Sequence, residues 1–242
     1  GPSKTAYHVA RHLGAAQVIK VSRNANREQI SYDEALAFHT DTQILINTTP
    51  VGMFPHIFES PIHLSTFPAL EAVLDAVYNP LQTRFAAEAA KRGIKGQTGL
   101  YMLVAQAVRA YEIFMDTTAE AGTTDSIFHQ IFASKQNIVL TGMPASGKST
   151  IGKLLAQKNG RELIDTDSLI VQKAGCSISE IFANRGEACF RELETEVIKE
   201  IASRSGCVIA TGGGAVLKPE NIAALKMNGR IYFLDRSPAL LV

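Results

Sequence analysis

Several things are scarce in this 242-residue chain, and each shortage removes a class of function. There are only three cysteines, Cys176, Cys189 and Cys207, odd in number, widely spaced and confined to the second half. That pattern argues against a disulfide scaffold or a zinc knuckle and points to a reducing, cytoplasmic setting. Net charge is nearly absent, with 24 Lys and Arg against 23 Asp and Glu, so no general attraction to nucleic acid or a membrane surface is expected. No apolar run reaches the ~18 residues of a membrane span, and the N-terminus lacks the basic-then-apolar pattern of a signal peptide. The histidines are scattered, with no His-x3-His pair to mark a metal site. Internal repeats and low-complexity tracts are also missing.

Apolar residues are present in strength, at 46% of the chain, which is ample for packed cores. The length fits one large domain or two ordinary ones. A small, polar stretch at residues 116–125 contains the turn-former Gly122, and an amphipathic segment follows at 126–134. The expected organisation is therefore a domain over 1–122, a linker with a short helix over 123–136, and a domain over 137–242. Both flanks alternate strands with helices, the rhythm of an α/β class with parallel sheets and flanking helices. In the first half the pattern predicts strands at 17–22, 44–47 and 72–77, with helices near 3–13, 81–92 and 99–115. The second half is expected to hold strands at 137–141, 162–165, 207–211 and 230–234. Its helices are expected near 148–158, 168–174, 178–184, 187–204 and 219–227. Residues 1–15 read as the close of a glycine turn, a helix and a strand, where a dinucleotide-binding unit should begin with an earlier strand. A convincing strand at 230–235 precedes the last seven residues. The expectation is a fragment cut at both ends.

Residues 142–150 read Gly-Met-Pro-Ala-Ser-Gly-Lys-Ser-Thr, after an apolar run and ahead of an amphipathic helix. This is a phosphate-binding loop in the context that such a loop requires. Its backbone N–H groups ring nucleotide phosphates, Lys148 reaches the outer ones, and the Ser149 hydroxyl suits Mg²⁺. Next come Asp165 and Asp167 at a strand end, where a period of two sends both carboxylates to one side beside the nucleotide crevice. One can hold a Mg²⁺-bound water while the other holds a substrate hydroxyl; an acidic helix N-cap, for which Asp167 would serve, is the plainer alternative. Arg191 and Glu194 lie at i, i+3 on a helix, so the carboxylate either orients the guanidinium or forms an ordinary surface pair. Gly212, Gly213 and Gly214 follow a buried strand, as close ligand approach or a flexible turn would require.

Taken in order, these four elements resemble the shikimate kinase family: a phosphate loop, Asp-x-Asp, Gly-Glu-x3-Phe-Arg-x2-Glu (here from Gly186 and Glu187 through Phe190 and Arg191 to Glu194), then three glycines. The likeness covers roughly residues 137–242. It implies that Ala145, Ser146, Gly147, Lys148, Ser149 and Thr150 hold ATP, with Ser149 on Mg²⁺ and Asp165 on a metal-bound water. Lys148 and Asp167 would be the catalytic pair. Asp167 would grip the substrate hydroxyls, Arg191 would pair with the shikimate carboxylate, and the Gly213 backbone would touch the same ligand. Ala145 departs from the glycine the family often has there, and a positive φ would cost it about 1 kcal/mol. The family's arginine-bearing lid and second carboxylate-binding arginine should lie beyond Val242, so this chain is expected to bind ATP but phosphorylate inefficiently.

In the first half, the predicted strand at 17–22 ends at Ser22, Arg23 and Asn24. A basic residue there suits the 2′-phosphate of NADP, with Arg27 in support, and a solvated arginine is the plain alternative. Further segments surround Asn47, Tyr78, Gly99 and Gln106. As a set they resemble the NADP-binding Rossmann domain of shikimate dehydrogenase over roughly residues 1–116. The likeness assigns Ser22, Arg23 and Asn24 to the adenosine 2′-phosphate, Gly99 to the nicotinamide, and Tyr78 and Gln106 to the shikimate pocket. Tyr101 stands where the family often has a second glycine. The family's catalytic lysine and aspartate belong to an upstream substrate domain, so no proton-transfer residue is assigned.

The fold expected is thus a partial Rossmann domain followed by a partial P-loop kinase. Its substrates would be the small molecules shikimate and 3-dehydroshikimate, and its cofactors ATP, Mg²⁺ and NADP(H). Two other readings stay open: a gluconate-like polyol kinase joined to a quinate-type dehydrogenase, and a catalytically silent nucleotide-binding module.

Overall fold

A computed structural model describes residues 1–236. The chain divides into two compact units, residues 1–128 and residues 129 onward. Among the described residues, no helix is long and apolar enough to cross a membrane.

The first unit is built on a parallel sheet of β1 (Ile44–Asn47), β2 (Ala72–Asp75) and β3 (Lys95–Gln97), hydrogen-bonded in that order. Around it run α1 (Pro2–His12), α2 (Tyr32–Phe38), α3 (Arg84–Lys91) and α4 (Leu100–Met115). Leu64, Phe67, Leu70, Val73, Phe85 and Ala89 form the core, which joins the inner face of β2 to α3. Two elements escape periodicity arguments. Helix α2 is one short stretch started by a capping box between Ser31 and Glu34, and β3 is three exposed residues, Lys-Gly-Gln.

The strand expected at 17–22 does not form. Val21 makes an isolated bridge to Ile30, while the Ser22 N–H donates to the Ile30 carbonyl and the Ile30 N–H to that of Lys20. This segment satisfies its backbone against the turn that follows it, and a strand needs a ladder. Helix α3 also starts later than the pattern predicts, because Thr83 caps it by accepting from the Ala86 N–H.

Thr83 belongs to a buried polar knot at the carboxyl ends of the strands. Asp75 accepts from Asn47 Nδ2 (2.9 Å), the Val77 N–H (3.0 Å) and Thr83 Oγ1 (2.7 Å). Asn47 Oδ1 in turn accepts from the backbone and hydroxyl of Thr49. Burial pushes the Asp75 carboxyl up, and the three donors oppose that shift.

Helix α5 (Thr123–Lys135) runs across the division between the units. Beyond it, β4 (Asn137–Gly142), β5 (Leu163–Asp165), β6 (Val208–Ala210) and β7 (Gly229–Leu234) form a parallel sheet in the order β5-β6-β4-β7. The accompanying helices are α6 (Lys148–Asn159), α7 (Thr166–Ala174), α8 (Ile178–Ile201) and α9 (Pro219–Lys226). Leu140, Ala156 and Val208 pack the sheet against α6, and Ile170, Ile181, Phe190 and Val197 join α7 to α8. Helix α8 is broken at Gly186, whose φ of 76° and ψ of 171° separate the two helical segments expected there.

Register sets the site. Asp165 pairs with Ala210, and Ala210 pairs with Leu140, so three strands end side by side. The next residues are Thr166, which starts α7, Thr211, and Thr141, one residue before the end of β4. The segments they lead into carry the chemistry-bearing side chains at the carboxyl ends of the sheet.

The polar knot of the first unit is testable. Thr83→Val keeps the shape but strands Asp75 Oδ2 and the Ala86 N–H, and should cost about 2–3 kcal/mol in urea unfolding. A loss below about 0.5 kcal/mol would show that the knot contributes little.

Candidate active site

Three segments far apart in sequence line one open cleft of about 450 Å³ at the carboxyl ends of β4, β5 and β6. The phosphate loop supplies Ala145, Gly147, Lys148, Ser149 and Thr150, the second segment Asp165 and Asp167, and the third Thr211 and Gly213. Arg191 is not in that lining but packs from α8 against Gly214 of the same glycine turn.

Helix α6 starts at Lys148, so the amides of its first turn have no intrahelical acceptor and face the cleft as anion donors. Lys148 Nζ donates to the carbonyls of Gly142 (2.8 Å) and Met143 (2.7 Å), folding over its own loop. Burial pushes the Lys148 amine down, against the opposing pull of Asp167 and Asp165. Ser146 lies buried beneath the loop, and its Oγ has no hydrogen-bond partner.

The two aspartates differ from what strand periodicity predicts. Only Asp165 is in the strand, whereas Asp167 lies in the first turn of α7, so a period of two does not relate them. Both still reach the cleft, because the chain turns into the helix between them. The helix cap is Asp165 rather than Asp167: its Oδ1 accepts from the Ser168 N–H at 3.1 Å. Its other oxygen, Oδ2, accepts from Ser149 Oγ at 3.4 Å, which pairs the two residues expected around Mg²⁺. Asp167 is left uncapped, and its Oδ1 is buried without a partner. Burial first, and the neighbouring Asp165 second, push its carboxyl up, while Lys148 and Arg191 hold it down.

Arg191 is no surface pair. Its guanidinium donates to Glu187 Oε1 (3.1 Å) and Glu194 Oε2 (3.0 Å), and Glu194 is fully buried. Burial pushes the Glu194 carboxyl up; the hydrogen bond and charge of Arg191 oppose it. Glu194 Oε1 has no partner. The glycines explain how these groups crowd together. A Cβ on Gly212 would sit 2.7 Å from Asp167 Oδ1 and 3.0 Å from Glu194 Oε1, and one on Gly214 only 2.1 Å from Arg191 Nη1. Close approach, not flexibility, is why those positions lack side chains.

Sequence reading passed over Thr166. It is fully buried between the two aspartates, and its Oγ1 accepts from the Gly212 N–H at 3.0 Å, tying the Asp-x-Asp turn to the triple glycine. A small hydroxyl residue between two acids is the signal that could have flagged it.

In the first unit the expected residues fall into three places. Ser22, Arg23 and Asn24 lie on the loop between α1 and α2, with Ser22 Oγ accepting from the Asn24 N–H and Arg23 exposed, as is Arg27. Gly99 packs on the segment just after β2 that leads to Tyr78: the Gly99 N–H donates to the Val77 carbonyl, and a Cβ on Gly99 would lie 2.2 Å from the Ala76 oxygen. Gln106 is exposed on α4, its Nε2 bound to the Leu103 carbonyl. Tyr101 turns toward α5, with its hydroxyl on Asp125 and its ring edge-on to Phe128.

Ala145 adopts a φ of 61°, the left-handed region in which an alanine is strained. Ala145→Gly should therefore raise stability in urea unfolding by about 0.5 kcal/mol, the relieved strain being partly offset by glycine's greater unfolded-state freedom. A loss of stability would contradict that strain.

Comparison with known proteins bears on this cleft. The family model described as shikimate kinase matches residues 144–242. The shikimate kinase of Caldicellulosiruptor bescii is 54% identical over 99 residues, covering 41% of this chain and 58% of that protein. Two solved structures are also similar to this chain. A shikimate kinase from Acinetobacter baumannii in complex with shikimate is 40% identical with a TM-score of 0.44, covering 46% of this chain and 63% of that one. A chorismate mutase/shikimate 5-dehydrogenase fusion protein from Clostridium acetobutylicum is 31% identical with a TM-score of 0.49, covering 54% of this chain and 50% of that one. The chain spans a little over half the length of the curated relatives it matches. The family match places a shikimate kinase domain in the C-terminal part of the chain.

Proposed function

We propose that the C-terminal unit transfers the γ-phosphoryl group of ATP to a ring hydroxyl of shikimate, and that the N-terminal unit reduces 3-dehydroshikimate with NADPH to supply it. One observation carries the kinase reading: Lys148, Asp167 and Gly213 line one cleft, Arg191 and Glu194 pack against the glycine turn that lines it, and Asp167 and Glu194 each keep a buried oxygen unpaired.

In this reading the amides of residues 145–150 and Lys148 hold the ATP phosphates. Lys148 leaves the Gly142 and Met143 carbonyls to do so, exchanging two neutral acceptors for charged ones. Ser149 Oγ and Asp165 Oδ2 are all-oxygen, closely placed donors of the kind that suits Mg²⁺, Ser149 directly and Asp165 through water. That ion, when bound, neutralises phosphate charge. Arg191, braced by Glu187 and Glu194, takes the shikimate carboxylate, and the Gly213 backbone closes on the same ligand. Asp167 Oδ1 accepts from the hydroxyl that attacks phosphorus, orienting it and drawing off its proton as the bond to ADP breaks. Positioning and charge stabilisation are the larger part of catalysis in phosphoryl transfer, and these residues offer both.

For the reductase, the support is local. Arg23 and Arg27 are exposed on one loop, as a 2′-phosphate contact requires, and Gly99 packs against Ala76 and Val77, next in sequence to Tyr78, just beyond a strand end of the parallel sheet. The domain boundaries we propose remain 1–122, 123–136 and 137–242. Three free cysteines support a cytoplasmic setting.

Coupled assay of ADP release tests the kinase. Shikimate should stimulate ATP consumption, and in the full-length protein Lys148→Ala should lower it about a hundredfold while sparing NADPH oxidation. Phosphorylation of gluconate but not shikimate would overturn the substrate assignment. Arg23→Ala should weaken NADPH about tenfold and leave NADH unchanged in fluorescence titration; an unchanged NADPH/NADH ratio would remove Arg23 from the 2′-phosphate site.

A further inference from the structure

Arg191 has an unfavourable setting for an anion receptor. Its one positive charge is bonded to two carboxylates, Glu187 and Glu194, and Asp167 lies close enough for their charges to interact. A ligand carboxylate approaching this guanidinium meets more negative than positive charge. Lys148 acts on Asp167 from the phosphate loop, but the α8 side of the cluster needs a cation of its own.

Lys218 stands there. It is the residue just ahead of α9, four positions after Gly214, and its half-buried side chain reaches back over α8. Its Nζ donates to the Arg191 carbonyl at 3.1 Å, sharing that oxygen with Thr195 Oγ1. Among the described residues it makes no ion pair, yet its charge acts on Glu194 and on Glu220. Glu220 is already engaged by Lys199 at 2.9 Å, which leaves Glu194 as the carboxylate within reach of that charge that has no lysine paired to it. Glu194 is fully buried, one oxygen is on Arg191, and the other is unpaired. A second cation behind it offsets a charge that would otherwise oppose the ligand.

We propose that Lys218 is a specificity-determining cation of this site: it offsets Glu194 from behind Arg191, so that the site prefers a carboxylate-bearing polyol to the same polyol without the charge. The inference rests on Arg191 being the carboxylate anchor. Lys218 touches no reacting atom; it acts through Glu194 and Arg191.

Calorimetric titration of the chain with shikimate, with its uncharged methyl ester, and with ATP tests the assignment. Lys218→Gln keeps a donor for the Arg191 carbonyl and removes only the charge; Lys218→Arg keeps the charge. Lys218→Gln should weaken shikimate about threefold to tenfold and leave the ester and ATP unchanged, and Lys218→Arg should restore the preference. Equal losses for shikimate and ester, together with a lower unfolding midpoint, would make Lys218 a structural pin and overturn the proposal. So would an unchanged shikimate-to-ester ratio in Lys218→Gln. A wild-type chain that binds ATP but not shikimate would instead overturn the substrate reading, and the role of Lys218 would fall with it.

Discussion

The C-terminal site depends on how closely side chains can press against the backbone of residues 212–214. Asp167, Glu194 and Arg191 all occupy space that a Cβ at Gly212 or Gly214 would take. The Gly212 N–H is then fixed to Thr166 Oγ1, so the turn cannot drift away from the aspartates it has made room for. Steric absence and one buried hydrogen bond thus convert three loops into one surface. Any residue larger than glycine at 214 would move the guanidinium first, because Nη1 is the nearest atom to the added carbon.

Crowding makes the electrostatics consequential. Burial raises Asp167 and Glu194 and lowers Lys148, and charges of opposite sign beside each group oppose those shifts. Such a cluster is costly unless charges of opposite sign are placed within it. Here Lys148 answers Asp167 from one side and Arg191 answers Glu194 from the other. An incoming phosphate or carboxylate meets cations already positioned and partly stripped of solvent, which is the condition under which they act most strongly.

How much of this was legible in the sequence varies with the cause. The phosphate loop was plain, because its glycines, lysine and serine are required locally, and Ala145 could be expected to sit in a strained conformation for the same reason. Gly186 marked the break in α8. The role of Glu194 stayed open, since spacing along a helix cannot tell a buried carboxylate from a surface one. Asp165 and Asp167 reached the cleft for a different reason from the one periodicity supplied, because the chain turns into α7 directly after Asp165 and only the first of the pair lies in the strand. The strand expected at 17–22 failed because β-propensity says nothing of whether a ladder partner exists. Thr83, Asn47 and Asp75 were invisible as a knot, since they meet only after β1 and β2 pair.

Both units place an aspartate at the carboxyl end of a parallel sheet, and the contrast between the two separates scaffold from site. Asp75 accepts from three donors drawn from three segments, so its charge is consumed in holding the loops together. Asp167 keeps an oxygen buried and unpaired, as does Glu194 beside it. The other buried atoms without partners among the described residues are Thr141 Oγ1, Ser146 Oγ and Asn221 Oδ1. The first two are at the phosphate loop, and Asn221 is bonded through its amide to Ala215, next to the glycine turn. Unmet polar atoms are costly, and a folded chain rarely gathers them without a use. Their placement at the phosphate loop, at Asp167 and Glu194 and beside the glycine turn, against complete pairing at Asp75, is what a surface built to receive a polar ligand requires.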